Sequence, residues 1–303
     1  MSYPFIVSEY SQCISVLENT GILSTLPGSK SKGIIGIDQN EYPIPTHEQV
    51  ENLLTANKKL VDIKRSQGFN RLELIPMALG LPQLMEIIEK AINRHLQEGK
   101  IYLTRNSDSD PLLPARVNKK KVVWVWDKLN QAITTNELVY FPEEYTTNHK
   151  GQTKSEVIDN RQICAFPGWS VGLVENLPFI PKQGQGETVG GRMQLEISHS
   201  PNEYLQIMRQ KEYSGETGKT LEDFIVKFLM RLELKNEISN NIYDDNAMWC
   251  LANYYKLPWA DVIPTVNWLE NVGRLRFGMH RSNNKLCTKS AGASTTVRLP
   301  GHF

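Results

Sequence analysis

The stretch Gly215-Glu216-Thr217-Gly218-Lys219-Thr220-Leu221-Glu222-Asp223-Phe224 announces a helix in its second half. Thr220 is the kind of residue whose side chain accepts a backbone N–H at a helix start, and Asp223, three residues on, supplies the acidic third position. Leu221, Phe224, Ile225, Phe228, Leu229 and Leu232 then recur at helical spacing, which predicts an amphipathic helix over Thr220 to Lys235. Upstream, Ser200-Pro201-Asn202-Glu203 combines a serine cap, a first-turn proline and a capping-box glutamate, with Tyr204, Leu205, Ile207 and Met208 as the inward face. Downstream, Met248, Trp249, Leu251 and Tyr254 predict a shorter helix over Asp244 to Tyr255, broken by Pro258 and Pro264.

Toward the amino end, Thr46 and Gln49 again have capping-box spacing, and Val50, Leu53, Leu54 and Leu60 give an apolar face to about Lys64. A second helix carries Leu81, Leu84, Met85, Ile88, Ala91, Ile92 and Leu96, with Pro82 in its first turn and Gly99 as a left-handed stop. Short apolar runs flank it, Leu72 to Met77 and Lys100 to Thr104, so the first third reads as α/β. Asn106 to Lys121 is polar and ends in three lysines, the composition of a connector, which puts a soft boundary near residue 118 and two units at 1–118 and 119–303. Val122 to Trp126, Glu137 to Phe141 and Trp169 to Val174 read as strands, with a polar insertion from Pro142 to Asn160. The glycine-rich loop Gly184 to Gly191 is a bend rather than a phosphate cradle, because no lysine-serine or lysine-threonine pair follows it.

The 34 basic and 33 acidic side chains leave a formal charge of +1, which excludes the whole-molecule field of a general nucleic-acid or membrane-surface binder. With 40% apolar and 22% charged residues, the composition is that of a folding chain, not of a disordered, collagen-like or coiled-coil one. No apolar run is long enough to cross a bilayer and Met1 to Tyr10 lacks the features of a secretory signal, so the reading is cytoplasmic, without membrane insertion. Cys13, Cys164, Cys250 and Cys287 form no C-x-x-C pair, and there is no H-E-x-x-H, nucleophile elbow or Walker loop. No catalytic residue, metal or cofactor is expected on these grounds.

From Pro264 to Phe303 the character changes: Arg274, Arg276, Arg281, Lys285, Lys289 and Arg298 face a single acid, Glu270, for a local charge of +5. Between Arg276 and Ser290 no helical or strand period is matched, so this part is expected to be exposed and irregular. Thr296 to Leu299 recovers a strand-like alternation. Trp268, Leu275, Phe277 and Leu286 are anchors that a frayed terminus would not need. A basic patch gripping phosphates and stacking bases is the weaker reading, and no specific nucleic acid is expected.

The order of these pieces carries a resemblance. Gly215 through Phe224 with the helix after it, Asp245-Asn246-Ala247-Met248-Trp249-Cys250, Val262-Ile263-Pro264 through Trp268, Gly273-Arg274, and Ser294 through Pro300 look like the variable proteins diversified by diversity-generating retroelements. The likeness is clearest from about Phe166 to Gly301. It implies an α+β chain whose C-terminal part is a C-type lectin-like domain of the formylglycine-generating-enzyme type, carried behind an α/β N-terminal region that scaffolds or oligomerises it. It also implies that Trp169 to Val174 pairs with Thr296 to Leu299 and clamps the segment between them.

In such a family adenine-directed mutagenesis rewrites asparagine-type codons into many residues, but not into Lys, Met, Gln, Glu or Trp. Asn267, Leu269, Asn271, Arg276, Phe277, His280, Arg281, Ser282, Asn283, Asn284, Cys287, Thr288 and Ser290 are allowed products, and they are the expected ligand contacts on a hypervariable surface at about 265–296. Arg274 is either one more of them or a structural brace. Trp169, Trp268, Gly273, Val297 and Arg298 are the expected scaffold, and Met279, Lys285 and Lys289 fall outside the filter. The expected partner is an unknown protein or surface ligand. The alternative is a metal- or thiol-dependent enzyme of the same fold, for which Cys250 and Cys287 are the nearby thiols; a calcium-dependent sugar lectin lacks its acidic and Asn-Pro ligands.

Overall fold

A computed structural model describes residues 5–238, 247–284 and 291–301. The first helix, α1 (Phe5–Asn19), buries Ile6, Cys13, Val16 and Leu17. Strands β1 (Ser24–Thr25), β2 (Lys32–Ile35) and β3 (Glu41–Pro43) make a small antiparallel sheet. Thr46 then starts α2 (His47–Ala56) through a complete capping box: its hydroxyl accepts from the Gln49 amide at 3.2 Å, and the Gln49 side chain accepts from the Thr46 amide at 2.8 Å. The apolar face continues past a break at Asn57 into α3 (Lys58–Ser66), followed by β4 (Phe69–Ile75) and α4 (Leu81–Gln97). Gly99 lies just beyond α4 with φ +68°, the left-handed stop its position predicts.

The polar connector leads to β5 (Val123–Val125), α5 (Asp127–Thr134) and β6 (Val139–Tyr140). The polar insertion is not all loop, since Thr153 and Glu156 form a capping box that starts α6 (Lys154–Asp159). There follow β7 (Ser170–Glu175), the hairpin β8 (Thr188–Val189) and β9 (Arg192–Met193), α7 (Pro201–Met208), β10 (Glu216–Gly218) and α8 (Leu221–Lys235). Both α7 and α8 begin with the capping boxes read from Ser200 and Thr220. Helix α8 buries residues all round, from Leu221 to Leu232, as expected of a helix inside the fold rather than on it.

The rest is sheet: β11 (Ala247–Trp249), β12 (Asn253–Leu257), β13 (Ala260–Leu269), β14 (Arg274–Arg281), β15 (Ala291–Gly292) and β16 (Thr295–Arg298). The helix expected over Asp244 to Tyr255 is therefore replaced, in its described part, by two strands. Met248, Trp249, Leu251 and Tyr254 are all buried, so their spacing reflects burial on both faces of a sheet and not a helical stripe. The irregular, exposed tail is corrected too, because Arg276 to Arg281 belongs to a long antiparallel hairpin with β13.

Two sheets organise these strands. In the first, antiparallel order β10-β16-β7-β4, Val297 lies opposite Leu173 and Arg298 opposite Gly172, so the two ends of the C-terminal part do meet in one sheet. In the second, β13 pairs along one edge with β11 and β12 and along the other with β14, which continues in parallel to β5. The boundary near 118 does not separate two cores. Strand β4 is hydrogen-bonded to β7 from Ile75↔Ser170 to Phe69↔Glu175, and one apolar cluster runs from Ile6 to Leu299. The chain is α+β, and the connector crosses the surface of a shared core.

Candidate functional site

Strand geometry sorts the C-terminal candidates, because successive side chains point to opposite faces of a sheet. In the β13–β14 register, Val266 lies opposite Phe277 and Trp268 opposite Leu275, and all four are buried. Their face packs on α8, where the rings of Phe224 and Phe277 meet edge to face with centroids 6.2 Å apart. The other face carries Asn267 opposite Arg276, Leu269 opposite Arg274, and Ile263 opposite His280. Arg274, Arg276 and Leu269 are half-buried, and Asn271 in the turn is exposed.

Strand β5 adds Trp124 beside Arg276, whose guanidinium sits 5.5 Å from the ring centroid. At the far end this face is roofed: Trp249 and Ile263 join Tyr204 of α7 and Tyr254 in a second apolar cluster. His280 stands at the margin, its ring 6.0 Å from that of Trp249. Burial first, and the Arg276 charge second, hold the His280 imidazole below its usual range, so it is neutral at pH 7.

The turn joining the hairpin is built on Gly273, which has φ +72°. Its carbonyl accepts from the Asn118 amide at 2.6 Å, and an added Cβ would lie 2.8 Å from the Arg116 carbonyl oxygen. Gly273→Ala is therefore expected to cost about 1–3 kcal/mol, read as a lowered urea midpoint, through both the left-handed backbone and the close approach of the connector. At the opposite tip, Ser282 donates its amide to the Asp261 carbonyl at 2.9 Å and is buried, while Arg281 and Asn283 are exposed. They line a shallow cavity of about 170 Å³ with Asp261 and Trp259, and Trp259 is 62% exposed. Asp261 accepts from the Tyr254 hydroxyl at 2.6 Å and Lys256 at 2.8 Å, and these bonds bring its carboxyl below the ordinary range against the opposing effect of burial.

Several expected contacts are thus relocated. Phe277 is a core residue and Ser282 a buried turn residue, because strand alternation and the Asp261 bond, not residue type, decide which way they face. Asn267 belongs to the outer face but is only 5% exposed. Asn284 is half-buried, and its amide closes the tip on the Arg281 carbonyl at 3.0 Å. Cys287, Thr288 and Ser290 lie outside the described residues. Trp124, Trp259 and Asp261 were not among the sequence candidates; only the position of Trp259 in a Pro258-Trp259 turn, where a large apolar side chain has little to bury against, hinted at one of them.

The scaffold residues Trp169, Trp268, Gly273, Val297 and Arg298 are all buried. Trp169 donates Nε1–H to the Tyr42 carbonyl at 3.1 Å, and Arg298 pairs with Asp223 and donates to the Ser170 hydroxyl at 2.8 Å. Cys250 is enclosed, and burial followed by the Asp223 and Glu222 charges pushes its thiol well up, so in the metal-free chain it is a neutral thiol. Among the described residues no cluster of three His, Cys, Asp or Glu side chains is arranged to hold a metal, and no helix is long and apolar enough to cross a membrane. In the glycine-rich loop the Gly184 and Gly186 amides donate to the Glu196 carboxylate at 2.8 and 2.6 Å, so that bend is closed by the chain's own anion. Comparison of the chain with family models, curated proteins and solved structures finds no match.

Proposed function

We propose that the chain is a ligand-binding protein of the retroelement-diversified kind, with a C-type lectin-like C-terminal part. Its display surface is the open outer face of β13–β14 together with the tip at Arg281 and Asn283. The observation that supports this most is the alternation of the hairpin. Leu269, Arg274 and Arg276 sit on the face away from α8, while the non-product residues Trp268 and Met279 sit on the core face. A rewriting process confined to the first set leaves the packing of the second intact, since side chains on opposite faces of a sheet do not share a packing layer.

Arginine, tryptophan and asparagine on a rigid sheet are also the chemistry of a recognition surface: aromatic and guanidinium anchors with adaptable hydrogen bonds. The ligand class this fits is a macromolecule or a surface rather than a small metabolite, because Leu269, Arg274 and Arg276 lie along the open end of the sheet face, next to the exposed turn at Asn271. The meeting of β7 with β16 is what a lectin-like domain requires of its two ends.

The reading is tested without knowing the ligand. A library randomised at Leu269, Asn271, Arg274, Arg276, Arg281 and Asn283 is expected to stay folded in most members, by resistance to proteolysis, and to yield binders when selected against an arbitrary immobilised protein. A second library randomised at Trp268, Leu275, Phe277 and Met279 is expected to be mostly unfolded. Equal loss of fold in both libraries would remove the proposal. At the gene, a near-copy of the segment coding for the tail, differing only at adenines, is the expected companion sequence.

A further inference from the structure

Between β4, β7 and α8, away from the hairpin, lies a cleft of about 570 Å³ counted out to the solvent. Its lining is mixed: Leu72, Val174, Leu177, Met230 and Leu234, the last 40% exposed, form an apolar patch, and Asn176 with charged side chains, Lys227 among them, supplies the rest. A second, narrow crevice of about 20 Å³, with Phe179, Ile180 and Leu195 in its wall, shares Val174, Glu175, Leu177 and Lys227 with the first. Lys227 therefore lines both spaces.

The charges around it are already committed. Glu73 accepts from Lys219 at 3.0 Å and Glu175 from Arg192 at 3.1 Å. Arg71 pairs with Glu9 at 2.7 Å, Arg231 with Glu237 at 2.6 Å and Lys235 with Asp108 at 2.6 Å. Among the described residues, no hydrogen bond or ion pair of the Lys227 amine is present to match these. The nearby carboxylates of Glu73 and Glu175 favour the charged amine through space but are each bonded to another cation, so among the described residues the ammonium has no hydrogen-bonded anion of its own.

We infer that this cleft binds a small aliphatic carboxylate, its anion on the Lys227 ammonium and its hydrocarbon body against Leu72, Met230 and Leu234. Burial, and then the Lys219 charge, lower the Lys227 amine to about 8, so it is charged at neutral pH and becomes neutral as the pH rises through that value. A bound carboxylate would favour the charged form, and by linkage binding must weaken as the amine deprotonates. The groups that face Lys227 are Glu73 and Arg71 from β4, Glu175 from β7, and Lys219, Arg231 and Lys235 from α8 and its approach. A pH effect belongs to Lys227 only if it disappears when Lys227 is replaced.

The experiment titrates the full chain with hexanoate, and in parallel with hexan-1-ol, followed by calorimetry at pH 7 and pH 9.5. Hexanoate is expected to bind at pH 7, to bind about tenfold more weakly at pH 9.5, and to bind about tenfold more weakly to Lys227→Met, in which the pH dependence is lost. Hexan-1-ol is expected to bind weakly and equally at both pH values. No hexanoate binding at up to about ten millimolar, equal binding by Lys227→Met, or equal binding of the alcohol would each overturn the inference. Should Lys227→Met not fold, Lys227→Gln and the pH comparison on the unaltered chain decide the same question. Failure here leaves the display face untouched, since no residue of β13 or β14 lines this cleft.

Discussion

Phe277→Ala is expected to lower the free energy of unfolding by about 3–5 kcal/mol, while Arg276→Ala, one residue before it, changes it by less than about 1 kcal/mol. Phe277 is 0% exposed and closes the core between β14 and α8, where its ring meets Phe224. Truncation removes the transfer energy of the ring and leaves a cavity that a sheet paired on both edges cannot close by collapse, because β14 is held by β13 on one side and β5 on the other. Arg276 is half-buried and loses its stacking on Trp124 and its charge, with no core ring removed. Urea melts of the two variants against the unaltered chain give the comparison directly. Near-equal losses would mean that the faces of the hairpin have been assigned the wrong way round, and the display surface would go with them.

That contrast also shows where the amino-acid sequence speaks and where it is silent. Helix starts are local: Thr46, Thr153, Ser200 and Thr220 each hold a partner three residues away, so a single line of sequence contains both halves of the interaction. The joining of β7 to β16 was legible only through the resemblance, since nothing near Trp169 names Val297 as a neighbour. The hairpin was hidden for a different reason. A half-buried strand shows alternation when one face meets water, but the outer face of β13 is roofed at Ile263 by Tyr204 and Tyr254 and open only toward Leu269. Apolar residues then occur at both parities, and the period of two disappears from the string.

The same limit applies to charge. A count of 34 basic and 33 acidic side chains suggests a solvated, balanced surface. Several of those charges are instead buried in pairs that bridge large stretches of chain: Lys219 with Glu73, Lys154 with Glu222, Arg298 with Asp223, and Lys64 with Glu216. Composition cannot separate these from surface charges, since burial is a property of the fold. Lys227, the amine left over in this interior, becomes visible as a site only after its neighbours' partners are known.

The most consequential of these pairs centres on Glu216, whose side chain is 0% exposed. One carboxylate oxygen accepts from Lys64 at 2.6 Å and from Arg192 Nε at 2.7 Å; the other accepts from a second Arg192 nitrogen at 2.7 Å and from the Thr295 hydroxyl at 2.6 Å. Arg192 is wedged between the rings of Phe69 and Tyr213, with 4.8 and 5.0 Å to their centroids, so it cannot swing out to water. Glu216→Gln keeps the shape but leaves Arg192 with only Glu175 as a carboxylate partner and Lys64 with only the Glu212 carbonyl, and it turns an amide N–H₂ toward one of the two cations. The expected loss is about 3–5 kcal/mol, the cost of an uncompensated buried charge rather than the net worth of the pair. High salt is expected to recover little of it, because buried charges are poorly screened. Lys64→Met added to Glu216→Gln removes one of the stranded cations, and the double variant is expected to be more stable than Glu216→Gln alone. A double variant less stable than the single would show that Lys64 holds the fold by a contact independent of Glu216, and the carboxylate would no longer be the hub joining α3, β9, β10 and β16.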